Sequence, residues 1–357
     1  MTIEKGKINY SVLVSLKPIG DGFEDSIVNE AYADRKASLD TPVEDFSTGI
    51  SLSDIEASKE NFSLGSYFYA ATRKKQFKMP KSKIKEEVAI AIHQEIARNG
   101  GTALNSKRRK EIAENIEAML QDEAVLETSG SRFVLSQDRK RIIIEETSAS
   151  KIDEALILIT SAVPMETIPD LKVYTPEFLY EIATGESASG YEPFTVSGRY
   201  SAEGIGRDFL TWLWAISDSQ KNIDGMEGLL VALTGMIQLS GENDGTGPVT
   251  VILKDGAPSI GAEVNAGLRQ GKKVSKAEFS IADKDLVYKI IIDDQFHFRA
   301  FAGPYVPEKG LDIGSNFDGR MFDCVAFMTL IERMFKAFCD DKTKQQTINE
   351  WISTSRN

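Results

Sequence analysis

Twelve basic residues fall between positions 73 and 110: Arg73, Lys74, Lys75, Lys78, Lys81, Lys83, Lys85, Arg98, Lys107, Arg108, Arg109 and Lys110. Three acids interrupt them, Glu86, Glu87 and Glu95. The segment thus carries +9 in a chain of net charge −12, leaving −21 for the rest. Charge segregated in this way can hold a polyanion even when the whole protein is acidic. A charge run is also what a solvated helix face carries, and two features weigh against that reading. The cations are read as unpaired with acids four residues on, unlike a surface helix laced with salt bridges. And Lys107-Arg108-Arg109-Lys110 opens a helix, where the dipole disfavours each cation by roughly a few tenths of a kcal/mol. A bound polyanion would offset that cost. A second set, Arg269, Lys272, Lys273 and Lys276, gathers around the start of a strand and can line the same surface; Lys272 and Lys276 share strand parity with each other but not with Lys273. Tyr67, Phe68, Tyr69 and Phe77 lie close to the first set. They alternate as strand residues, which favours core packing over stacking on the bases of single strands.

Other chemistry is sparse. The two histidines, His93 and His297, have no clustered ligands in sequence, so no metal site is expected. Without a suitably placed histidine, a serine or cysteine nucleophile lacks its usual base. There is no G-x-x-x-x-G-K-[ST] loop, and Gly204-Ile205-Gly206-Arg207 is too short for a dinucleotide fingerprint. No cofactor is implied. A metal-dependent nuclease would need converging carboxylates. Asp293-Asp294 at a strand end and Pro169-Asp170 are the available starting points, and such pairs more often sit in solvated turns. That reading, and a basic module docking an acidic protein partner, are the competitors of a polyanion-binding surface.

The elements that must position these residues read as follows. Strands are expected at Ile8 to Leu16 and Phe62 to Phe77, a helix from Phe23 to Lys36, and a long loop over 37–61. Ile84, Val88, Ala91, Ile92 and Ile96 recur at helical spacing from Ser82 to Arg98. Asn99-Gly100-Gly101 ends that helix. A second runs from Lys107 to Gln121, capped by Asn105 or Ser106, with Ile112, Ile116, Met119 and Leu120 inward. A hairpin (Arg132 to Leu135, Arg141 to Thr147) precedes a helix opened by Ser150 and Asp153 as a capping pair. Later come an apolar stretch at Arg207 to Ile216, five strands between Leu229 and Phe301 interrupted by a short helix at Ile260 to Gln270, and a final helix from Arg320 to Cys339. Met321, Phe322, Val325, Met328, Ile331, Phe335 and Phe338 make that helix apolar over a wide arc, fit for a core or a subunit contact. The order implies an α+β fold, with antiparallel sheets and helices packed on one face. The 357 residues suggest an N-terminal α+β region at 1–183, a boundary at 184–205 and a strand-rich C-terminal region at 206–357. No apolar run reaches the roughly 18 residues that cross a bilayer, and the start lacks the apolar stretch of a signal peptide. Cys324 and Cys339 are expected to be buried free thiols, which fits a reducing cytoplasm.

Two phrases carry a family resemblance. Gly206-Arg207-Asp208-Phe209-Leu210-Thr211-Trp212-Leu213-Trp214 resembles one found in the RdgC family of recombination-associated proteins. Gln270-Gly271-Lys272-Lys273-Val274-Ser275-Lys276-Ala277 resembles a second, followed in both by two strands. The helix–basic linker–helix segment from Pro80 to Gln121 and the hairpin ending Ile142-Ile143-Ile144 fit as well, so the resemblance runs through nearly the whole chain in order. It implies an elongated, multi-part chain forming a ring-like homodimer whose basic inner wall encircles duplex DNA. It also implies non-specific double-stranded (or single-stranded) DNA binding, interference with RecA-type strand exchange, and a cytoplasmic, nucleoid-associated protein without membrane contact. Family members are sometimes called exonucleases, for which these residues offer no motif. Where relatives carry a basic, aromatic stretch before the hairpin, this chain reads Asp122-Glu123-Ala124-Val125-Leu126-Glu127. The loop at Lys254-Asp255-Gly256-Ala257 likewise lacks cations that some relatives have.

Overall fold

The computed structural model describes residues 6–31, 36–52, 59–168, 170–196, 204–219, 221–241, 250–254, 261–308 and 310–355. Its strands are β1 (Ile8–Val14), β2 (Val43–Thr48), β3 (Ser63–Leu64), β4 (Tyr67–Lys78), β5 (Val125–Ser129), β6 (Arg132–Leu135), β7 (Arg141–Ile144), β8 (Lys172–Val173), β9 (Leu229–Ser240), β10 (Thr250–Leu253), β11 (Lys273–Asp283), β12 (Leu286–Asp293) and β13 (Phe298–Ala302). Its helices are α1 (Gly22–Ala31), α2 (Lys81–Arg98), α3 (Ser106–Met119), α4 (Ala149–Ala162), α5 (Pro176–Thr184), α6 (Ile205–Ser219), α7 (Ala262–Arg269), α8 (Ile313–Asp340) and α9 (Lys344–Ser355). The α+β architecture is as the element order implies, and every strand pairing among the described residues is antiparallel.

One sheet runs in the order β10-β9-β11-β12-β13-β1-β7-β6-β4-β2. β1 is its seam. Its first residues pair with β13 (Ile8 opposite Phe301, Tyr10 opposite Phe298), and its last pair with β7 from Ser11–Ile144 to Val14–Arg141. Because both its faces are covered, β1 is apolar almost throughout rather than alternating. Ile8, Tyr10, Val12 and Val14 join the larger core, and Leu13 joins the smaller. The smaller core lies between the sheet and α1 and α4: Phe23, Ile27, Ile152, Ala155 and Ile159 meet Phe46, Phe68, Phe133, Ile142 and Ile144. The opposite face carries α8. At 28 residues α8 is about 42 Å long, enough to run beneath both halves. At one end Phe317 meets Tyr67 and Tyr69, with ring centroids 6.1 and 5.1 Å apart. At the other, Phe335 and Phe338 meet Phe209 of α6 at 5.1 and 5.7 Å. The final helix is therefore a core helix, although Phe322 points outward and is 67% exposed. In the β9–β13 half, helices cover one face only. Tyr288, Ile290 and Ile292 are buried, whereas Val287 and Lys289 between them are exposed.

Several elements depart from expectation. The loop expected over 37–61 contains β2, whose buried Asp45, Ser47 and Thr48 disguise it as a polar stretch. Positions 53–58 of that loop lie outside the described residues, as do 255–257 of the Lys254 loop and residue 169 beside Asp170. α4 starts at Ala149 with Ser148 at the cap position and no side-chain capping bond, so Ser150 and Asp153 are not its capping pair. α9 and β5 carry no strong local signal and went unanticipated; α5 also went unanticipated, although Thr175 caps it ahead of Pro176 and Gly185 ends it in the left-handed conformation. Both cysteines are free, Cys324 buried and Cys339 partly so.

The two sequence phrases that stand out meet in the core of the second half. Asp208 and Lys273 are both completely buried, with their charged atoms 2.5 Å apart. Asp208 also accepts hydrogen bonds from the Tyr191 hydroxyl (2.7 Å) and the Phe194 amide (3.0 Å). The Lys273 ammonium lies 4.6 Å from the centre of the Phe194 ring. Burial raises the Asp208 carboxyl above its ordinary range, against the opposing pull of Lys273. One helical turn on, Thr211 accepts the Val274 amide at 3.0 Å. Gly206 lets α6 close on the β12–β13 turn, since a Cβ there would lie 2.1 Å from the Asp294 carbonyl oxygen. These phrases lock a helix to a strand. Removing one member of a buried pair leaves the other charged and unsolvated, a cost of about 3–5 kcal/mol. Lys273→Met is accordingly expected to lower unfolding free energy by about that amount in urea titration, with Lys336→Met, an exposed helical lysine, within about 0.5 kcal/mol of the parent.

Candidate nucleic-acid interface

β4 begins in the core and ends outside it. Its first seven residues are buried and its last five are not. Phe68 to Ala71 pair with β6 and Ala70 to Lys75 with β2, whereas Lys74 to Lys78 pair with β5, which leaves a two-stranded ribbon beyond Lys75. At the ribbon's end the chain enters α2, turns at Gly100 and Gly101 (φ +67° and +87°, where glycine is strain-free), and returns through α3. α2 and α3 pack on one another. No residue of α2 is buried, and of α3 only Ile112 is. The basic segment is therefore a projecting arm made of a ribbon carrying a helical hairpin. Of the periodic apolar residues expected to face inward, Ile112 and Leu120 are buried, those of α2 and Ile116 are half-buried, and Met119 is 76% exposed.

The arm's cations fall into three groups. Arg73, at the point where the ribbon leaves the core, is buried. Its Nε and Nη2 hold the two oxygens of buried Asp45 at 2.6 and 2.7 Å. It belongs to the fold, and the expectation that it meets a nucleic acid is corrected: a fork closed on a carboxylate inside the protein cannot reach a phosphate. A second group is exposed but paired. Lys74 meets Glu44 (2.7 Å), Lys78 meets Glu127 (2.5 Å), Lys83 meets Glu123 (2.5 Å), and Arg108 meets Glu95 (2.7 Å) and Glu111 (3.0 Å). Lys110 lies 3.6 Å from Glu114, four residues on. The expectation of unpaired cations is thus overturned for these residues. Apart from Glu95, which lies thirteen residues before Arg108, their acids come from β2, from the Asp122–Glu127 stretch and from beyond position 110, so counting within the segment left them out. The hydrogen bond from Arg108 holds the Glu95 carboxyl below its ordinary range. The third group, Lys81, Lys85, Arg98, Lys107 and Arg109, is exposed and has no ion pair among the described residues. Lys75 lies half-buried on the ribbon.

The start of α3 is as expected. Asn105 caps it by accepting the Arg108 amide at 2.8 Å, and the first turn holds cations and no acid. Lys107 and Arg109 stand two residues apart, about 200° around the helix, so they address different directions.

The second cation set does not form a surface. Lys273 is fully buried against Asp208 and is removed from the candidates for that reason. Lys272 is 6% exposed, its ammonium turned to the Gln270 side chain at 2.6 Å. Arg269 ends α7, where a cation is favoured by the dipole. Lys276 remains, half-buried on the open face of the sheet. Burial, with Arg299 beside it, lowers its ammonium below the ordinary lysine range. Arg299 is a cation that no sequence pattern singles out.

The carboxylates considered for metal chemistry are otherwise engaged. Asp293 sits 3.1 Å from His297 Nδ1 and 3.4 Å from Arg299, and Asp294 sits 2.6 Å from Arg207. Burial raises the Asp293 carboxyl, but the hydrogen bond and charge of His297 outweigh that and hold it low. Among the described residues no group of three or more His, Cys, Asp or Glu is placed to hold a metal ion. Nor, among them, is any helix long and apolar enough to cross a membrane.

Residues 33–178, which span β2, the whole arm and α4, match the family model described as "Putative exonuclease, RdgC". Over those 146 of its 357 residues the chain is similar to the RdgC family. No curated protein matches the chain.

The sorting of the cations makes separable predictions. Arg73→Ala strands Asp45 and is expected to cost about 3–5 kcal/mol of stability. Lys107→Ala with Arg109→Ala is expected to stay within about 0.5 kcal/mol of the parent. Thermal or urea unfolding of the two variants measures both.

Proposed function

We propose that this protein binds duplex DNA without sequence preference through the arm of β4, α2, α3 and β5, and that it acts as a homodimer that encircles or coats DNA. Modulation of RecA-type recombination then follows from occupancy of the DNA. The observation that carries the reading is the group Lys81, Lys85, Arg98, Lys107 and Arg109, cations without an ion pair among the described residues on a projecting element, two of them against the dipole of α3. Stability alone gives no reason for that placement, and a phosphate backbone does. Duplex is favoured over single strands, because Tyr67, Phe68 and Tyr69 are buried in the two cores and unavailable for base stacking. A second copy would cover the arm's apolar surface, where Ile90, Met119, Val125 and Leu126 are between 43% and 76% exposed. In this reading the protein works in the cytoplasm, at the nucleoid.

Binding that rests on phosphate contacts depends on salt and not on sequence. Affinity for short duplexes of unrelated sequence is expected to agree within about twofold. The log–log salt slope is expected near −0.9 per phosphate contact, hence about −4.5 for five contacts per arm. The Lys107→Ala, Arg109→Ala variant should flatten that slope by about 2 and weaken all sequences alike. Affinity that ignores salt, or that the variant leaves unchanged, contradicts the proposal.

A further inference from the structure

The acidic stretch at 122–127 lies against the basic face of the arm. Glu127 of β5 reaches diagonally across the ribbon to Lys78, 2.5 Å away. Glu123, in the turn that leads into β5, holds Lys83 of the first turn of α2 with both oxygens, at 2.6 and 2.5 Å. All four side chains are close to half exposed. That distinguishes them from Arg73–Asp45 and Lys273–Asp208, which are buried and permanent. Exposed pairs contribute little to stability and open readily. A phosphate oxygen can therefore take either ammonium, but the displaced carboxylate stays on the arm within reach of that phosphate and repels it.

From this arrangement we infer that Glu123 and Glu127 regulate the proposed DNA-binding face as built-in competitors of phosphate. They hold Lys78 and Lys83 in reserve, so that the arm binds with its unpaired cations first and recruits these two lysines only against a dense polyanion at low salt. The inference rests on the DNA-binding reading above. It deepens that reading by making part of the positive surface conditional.

Neighbouring acids provide the control. Glu117 and Asp122 are exposed on the same arm and have no ion pair among the described residues. Glu123→Gln with Glu127→Gln, and Glu117→Gln with Asp122→Asn, change the net charge equally. Only the first releases the lysines. Fluorescence anisotropy with a labelled duplex over a series of salt concentrations separates the cases. The first variant is expected to bind roughly tenfold more tightly at low salt and to steepen the log–log slope by about 1.8, two contacts at 0.9 each. The control is expected to change affinity by at most about twofold. If parent and first variant bind alike, or the control gains as much as the first variant, the competition is refuted while DNA binding stands. A parent that fails to bind while the first variant binds supports it. If the parent and both variants all fail to bind, the DNA-binding reading falls and takes this inference with it.

Discussion

The arm depends on how β4 leaves the core. A strand can run into solvent only if its last buried position is satisfied, and here that position is Arg73. Its guanidinium closes on Asp45 of β2 with two parallel hydrogen bonds, directly opposite in the ladder. Inside that point β4 is flanked by strands on both sides and covered by side chains on both faces. Beyond it β2 stays paired only as far as Lys75, and Gln76 to Lys78 pair with β5 alone. The ion pair is buried, so its value lies less in net stability than in the cost of breaking it. It fixes where the core ends, and so which cations face solvent.

The rest of the electrostatic design follows from burial. Arg73 and Lys273 look like their basic neighbours in sequence, yet each is enclosed against a buried acid, Asp45 or Asp208. The exposed cations are graded instead. Some meet a carboxylate at 2.5–3.0 Å and some meet none. Hence the formal +9 of the segment overstates the charge that a ligand encounters. The acidic stretch beside the arm is part of its electrostatics and not an interruption of it.

Much of the fold was legible because its signals are local. Apolar residues at helical spacing located α2 and α3. Dense Val, Ile and Phe located β1, β6, β7 and the β9–β13 strands, within a few residues. β2 was hidden because three of its six residues are polar and buried, and the partner of Asp45, Arg73, lies 28 positions on. β5 was hidden because all five of its residues are exposed and no face alternates. The site was legible as a charged segment but not as a surface. Lys74 and Glu44 are 30 positions apart, and Lys83 and Glu123 are 40, so no local window contains both partners. Lys272 and Lys273 have the composition of a basic patch. Only the packing of α6 on β11 shows that one of them is a core residue.

The central claim is that the projecting arm is the element that meets DNA. Amide hydrogen exchange of the protein, alone and with a saturating non-specific duplex, tests it most directly, because exposed helices with few buried residues exchange readily unless something covers them. The account predicts new protection over α2, α3 and the ribbon of β4 and β5, greatest around Lys81 and from Lys107 to Lys110, with the buried strands unchanged. Protection confined to the open face of β9, β11 and β12, with the arm exchanging as freely as before, would contradict it.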